Sequence, residues 1–152
     1  MKNLEIKTDL QVLKPAHDVF EAIADPAKMS NYFIARGSSR LEDGKIVMWS
    51  FPEFDFEFPV RVVKTEKDRY ISFNWDNENG KELLVEITLN PRTPSATVVT
   101  ITEKSMENNE AGIKWLSQNT AGWASFLVCL KAYLEYGINL RKGAYDHLRK
   151  QD

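Results

Sequence analysis

Few residues in this 152-residue chain could make or break bonds. It has two histidines, His17 and His147, and one cysteine, Cys129. Nucleophilic catalysis needs a serine or cysteine within reach of a base that a third group orients. Gly122-Trp123-Ala124-Ser125 has the start of a nucleophile elbow but not its second glycine, and it falls inside a helical pattern. Both histidines and Ser125 therefore read as surface or structural residues. Cys129, between Val128 and Leu130, reads as a small buried hydrophobe. No His/Cys cluster suits a metal. Asp76-Asn77-Glu78-Asn79-Gly80 is too short for a calcium loop and lacks its distal glutamate, so it is a hairpin turn. Neither a Gly-x-Gly-x-x-Gly run nor a Walker-type Gly-Lys-Ser/Thr is present. The sequence assigns no catalytic residue, metal or cofactor.

Aromatic residues carry more information. Trp49, Phe56, Phe58, Phe73, Trp75, Trp115, Trp123 and Phe126 fall where strands and a long helix should face each other. Such rings fill a core through their large buried area. They also suit the walls of a binding gap of roughly 300–1,000 Å³ with few polar groups. Arg61 and Glu103 are the polar candidates for such a gap, and exposed strand positions are expected for both. Gly122, in mid-helix, implies either close approach of the helix to the sheet or room kept for a guest, since glycine costs a helix about 1 kcal/mol relative to alanine.

The elements that would position these residues follow from periodicity. Leu4, Ile6, Leu10 and Val12 alternate with polar residues, the mark of a half-buried strand. Pro15 suits a helix start, and Ala16, Val19, Phe20 and Ile23 follow at helical spacing. Asp25-Pro26 reads as a cap and first helical position, with Met29, Tyr32 and Phe33 continuing a second short helix. Strands are then predicted over 36–41, 45–51, 54–62, 70–75, 83–89 and 97–103. Asn79-Gly80 closes one hairpin, and Pro59 implies a sheet edge or a bulge. From 113 to 141 the period becomes 3.6, with Leu116, Trp123, Leu127, Leu130, Leu134 and Ile138 on one stripe and Gly143 as the stop. About seven strands and one long helix, each with an apolar face, give a single α+β domain spanning residues 1–152: a curved antiparallel sheet closed over the C-terminal helix, with two short helices after the first strand.

Composition excludes several functions. With 20 Lys+Arg against 22 Asp+Glu, the chain has no basic field for nucleic acid or an anionic membrane. No run nears the ~20 apolar residues of a membrane span, and the N-terminus lacks a signal-peptide core. One cysteine cannot form an internal disulfide, so a reducing cytoplasm is expected for a monomer or homodimer.

Particular stretches resemble a known family. Pro15-x-x-x-Val19-Phe20-x-Ala22-x-x-Asp25-Pro26-x-x-Met29-x-x-Tyr32-Phe33, Gly44-x-x-x-x-Trp49, and Phe58-Pro59-Val60-Arg61-Val62-Val63 leading to Ile71-Ser72-Phe73-x-Trp75 are similar to the opening, third strand and central hairpin of the Hsp-90 ATPase activator homologue family. Gly122-Trp123-x-x-Phe126-Leu127-x-x-Leu130-Lys131-x-Tyr133-Leu134-Glu135-x-Gly137 resembles its C-terminal helix. That family lies in the SRPBCC (START-like, Bet v 1-like) superfamily, so the resemblance implies a helix-grip fold. It implies three readings of function: a binding protein for a hydrophobic or amphipathic small molecule, a co-chaperone-like protein that contacts a chaperone under stress, or a cyclase- or hydrolase-type enzyme. The co-chaperone that names the family carries a further N-terminal domain for which 152 residues leave no room. Small or absent stimulation of an Hsp-90 ATPase is therefore expected. Binding is the first reading, because the inward faces that can be assigned are almost wholly apolar.

Overall fold

Alternation in the first segment becomes strand β1 (Leu4–Val12), with Ile6 and Val12 buried. The computed structural model describes residues 2–149. Pro15 precedes helix α1 (Ala16–Ala24), whose buried side is Val19, Phe20, Ala22 and Ile23. The Asp25 side chain then accepts the Ala27 N–H at 2.9 Å and caps α2 (Pro26–Met29). Tyr32 and Phe33 follow α2 in hydrogen-bonded turns rather than extending it. Next come β2 (Arg36–Gly37), β3 (Ile46–Ser50), β4 (Glu57–Glu66), β5 (Tyr70–Asp76), β6 (Glu82–Thr93), β7 (Ala96–Met106) and α3 (Glu110–Tyr136). A 3₁₀ turn at Asp146–Leu148 follows.

The seven strands form one antiparallel sheet in the order β1-β7-β6-β5-β4-β3-β2. This is the expected α+β helix-grip architecture. Several boundaries differ from the sequence reading, each for a local reason. The strand expected over 36–41 stops at Gly37, and Leu41 donates its N–H to the Ala24 carbonyl at 3.0 Å as the chain turns toward α1. The strand expected from Phe54 starts at Glu57, so Phe54 and Phe56 belong to a loop despite their alternation. Pro59 lies in an internal strand and not at an edge. It opposes Met48 of β3, and pairing with β5 begins only at Arg61, so no ladder partner needs its missing N–H. The β4 irregularity comes later, between Val62 and Lys64.

Helix α3 is capped at both ends by its own sequence. Asn109 accepts the Gly112 N–H at 2.9 Å. At the other end Gly137, with φ of 65°, stops the helix, and the Ile138 N–H returns to the Ala132 carbonyl at 3.2 Å. The stop is therefore Gly137 and not Gly143, which leaves Ile138 outside the helix and exposed. At about 1.5 Å per residue, the 27 residues of α3 extend roughly 40 Å.

The path of α3 decides where the site lies. Lys131 Nζ donates to the Gln11 carbonyl at 3.0 Å, and the Leu13 N–H donates to Glu135 at 2.8 Å. Burial raises the Glu135 carboxyl, but that amide and the Lys131 ammonium outweigh it and hold the group below its ordinary range. At the start of the helix, a Cβ on Gly112 would lie 3.2 Å from Leu4 and 1.9 Å from the Glu107 carbonyl oxygen. Helix and β1 are thus tied along their whole shared length. Because β1 is one edge of the sheet, the strands β3–β5 face α3 across a widening wedge.

Candidate functional site

The wedge is filled from the bottom by rings. Trp49 meets Phe73 edge-on at 5.4 Å, Phe33 meets Phe126 at 4.7 Å, and Trp75 stacks on Trp123 at 5.4 Å with 29° between planes. Inward positions on neighbouring strands explain the cluster. Val62, Phe73, Val85, Glu103 and Ile6 stand opposite one another in one row across the sheet.

Glu103 is the unexpected member of that row. An exposed position was expected, but Glu103 is 0 % exposed. Its carboxylate accepts Trp123 Nε1 at 2.8 Å, Trp75 Nε1 at 3.0 Å and Trp115 Nε1 at 3.4 Å. Asn119 Nδ2 adds contacts at 3.2 and 3.4 Å. An indole can only donate, and a buried N–H needs an acceptor. One carboxylate therefore fixes three tryptophans drawn from β5 and α3. The inward face is accordingly less apolar than the sequence reading held. Arg61 is also not at the gap: it reaches Asp76 and Glu82, both at 2.8 Å, on the face of the sheet opposite buried Val60 and Val62.

Above the rings a groove runs between α3 and the loop 51–56. One part, a cavity of about 510 Å³, is bordered by Phe33, Phe51, Trp75, Gly122, Trp123 and Phe126, with Glu53, Ser125, Arg141 and Tyr145 at its polar end. Another part, of about 590 Å³, is bordered by Phe54, Phe56, Phe58, Trp75, Trp115 and the end of β5, with Glu103 and Asn119 at its base. Phe51, Phe54, Trp75, Gln118 and Asn119 border both, so the two adjoin. Gly122 opens into this space: a Cβ there would meet nothing within 4 Å. Close approach of helix and sheet is thus not what this glycine serves.

Of the eight aromatic candidates, Phe58, Trp75, Trp115, Trp123 and Phe126 border the groove. Phe56 does so only from the rim, 58 % exposed and stacked on Phe54 at 5.4 Å, because it precedes β4. Trp49 and Phe73 border neither part and form the layer beneath. Sequence reasoning missed Phe33, which the short-helix pattern hid, and the pair Glu53–Arg141. Arg141 donates to both Glu53 oxygens at 2.8 and 3.1 Å and lies 4.4 Å from the Tyr145 ring centre. No local pattern joins residues 88 apart, so nothing in the sequence signals this pair.

Among the described residues, no base is hydrogen-bonded to a candidate nucleophile. Ser125 accepts a hydrogen bond from Tyr145 at 3.0 Å, whereas His17 pairs with Asp68 at 3.0 Å on the surface. His147 lies beside the Tyr145 ring, 6.2 Å between centres. Burial pushes the Cys129 thiol up, which disfavours the thiolate. Among the described residues no group of three or more His, Cys, Asp or Glu is placed to hold a metal, and no helix is long and apolar enough to cross a membrane.

A family model described as "Activator of Hsp90 ATPase homolog 1-like protein" matches residues 14–135. Among solved structures, protein SSP2350 from Staphylococcus saprophyticus is 33% identical with a TM-score of 0.80, over 91% of this chain and 96% of that one. DynU16, a protein in the dynemicin biosynthetic locus, is 26% identical with a TM-score of 0.77, over 88% of this chain but 48% of its own. The Aha1 dimer from Colwellia psychrerythraea shares the fold at 15% identity, with a TM-score of 0.74 over 88% of this chain and 98% of that one. A search of curated proteins found no match.

Proposed function

The chain belongs to the Activator of Hsp90 ATPase homolog 1-like family, and within it we propose a binding protein that holds an apolar or amphipathic small molecule in the groove between α3 and the loop 51–56. The observation that carries this reading is Gly122. A glycine in mid-helix weakens the helix by roughly 1 kcal/mol relative to alanine, yet no neighbouring atom within 4 Å demands it. Gly122 is exposed and borders the groove beside Trp123 and Phe126, so the missing side chain leaves the groove open there. The groove is of ligand size, and its walls combine rings with a few fixed polar groups, the usual make-up of such sites.

The reading is of binding without turnover, supported by Ser125 having no hydrogen-bonded base among the described residues. Wild-type protein is expected to bind the uncharged dye N-phenyl-1-naphthylamine saturably and to change its tryptophan emission as it does so. Gly122→Leu should remain folded, because its side chain enters open space, and should lose most of that binding. Unaltered dye affinity in a folded Gly122→Leu protein would refute the groove as the site. Simple aryl esters should not be hydrolysed above the buffer rate. Turnover that vanished in Ser125→Ala would turn the reading toward an enzyme.

A further inference from the structure

Charge in the groove is one-sided. Around its larger part the acidic side chains are Asp76, Glu78 and Glu103, and among the described residues no lysine or arginine borders it. Arg61 contacts Asp76 from outside but shares its guanidinium with Glu82, so two carboxylates face one cation. Glu103 has no cation within ion-pair distance among the described residues; its partners are neutral N–H groups. A buried charge is ordinarily paired. Here the indoles and Asn119 satisfy its hydrogen bonds without supplying a cation at the base of the groove. The adjoining part adds no net charge, because Glu53 and Arg141 pair with each other.

Aromatic rings add to this. Phe58, Trp75 and Trp115 border the same part of the groove, and aromatic rings attract a cation over their faces, most strongly where water is excluded. From these observations we propose that the ligand is an amphipathic cation, an apolar body carrying an ammonium group. The body occupies the part opened by Gly122, beside Phe33, Phe51 and Trp123. The ammonium lies toward Trp75 and Trp115, above Glu103. A carboxylate or sulfonate of the same shape would lie beside Asp76 and Glu78 and be rejected. This assignment rests on the groove being a binding site.

Three ligands with one apolar chain separate the two claims: decyltrimethylammonium, decanol and decanesulfonate, each titrated into the full chain below its micellar concentration and followed by tryptophan emission. The cation should bind about tenfold tighter than the alcohol, the size of one partly desolvated cation–π contact, and the sulfonate weakest. Raising the salt from 0.05 to 0.5 M, roughly 14 to 4 Å in screening length, should narrow the gap between cation and sulfonate. Glu78→Gln, at an exposed position, should narrow it as well. Equal binding of cation and alcohol would overturn the charge assignment and leave the groove standing. Saturable binding by none of the three would remove the groove reading itself.

Discussion

At the scale of single residues, the site turns on Glu103. An exposed position was expected for it, although Val99, Ile101 and Glu103 share one face of β7 and the first two are buried. What the sequence could not show is that three indoles from elsewhere would converge on the carboxylate, since Trp75 lies 28 positions away. Glu103→Gln keeps one acceptor but turns an NH₂ toward N–H groups. Leaving buried donors unsatisfied should cost about 1–3 kcal/mol. Urea unfolding with an unchanged midpoint would show that the indoles do not depend on the charge. Trp49 and Phe73 teach the complementary lesson. Their inward direction was read correctly, but both lie in the layer beneath the groove, which Trp75 on the same face of the sheet reaches.

At the scale of elements, two glycines of α3 should behave oppositely. Gly112 abuts backbone, with a would-be Cβ 1.9 Å from the Glu107 oxygen, whereas Gly122 meets nothing within 4 Å. Gly112→Ala should therefore destabilise by about 2 kcal/mol or more, since the backbone at Glu107 that leads into α3 must shift. Gly122→Ala should stabilise by up to about 1 kcal/mol through helix propensity alone. Thermal unfolding of the two variants in parallel distinguishes them, and destabilisation by both would mean that Gly122 packs closely after all. The helix itself was legible from its 3.6 period, but its end was not. The stripe ran on through Ile138, while the left-handed turn at Gly137 had already stopped the helix. Likewise Phe54 and Phe56 keep strand alternation without a partner strand, and only pairing makes a strand.

At the scale of the whole molecule, the succession of strands and helices along the chain and the packing of one long helix on an antiparallel sheet were legible, because local alternation and one long amphipathic helix admit few packings. The shape of the gap was not, because it depends on α3 lying along β1 at the sheet edge, a relation fixed by distant contacts such as Lys131 with Gln11. That lateral placement produces a wedge whose floor is Trp49 and Phe73 and whose walls are Trp75, Trp115 and Trp123. The four tryptophans of the chain thus sample depth in the wedge. Two-dimensional NMR of the four indole N–H groups, recorded while N-phenyl-1-naphthylamine is titrated in, reads all of these depths together. The expected result is saturable shifts at Trp75 and Trp123, whose N–H groups meet Glu103 at 3.0 and 2.8 Å, with the least change at Trp49, which is 1 % exposed. Saturation by the dye with all four indole signals unmoved would place binding elsewhere and contradict the groove as the site.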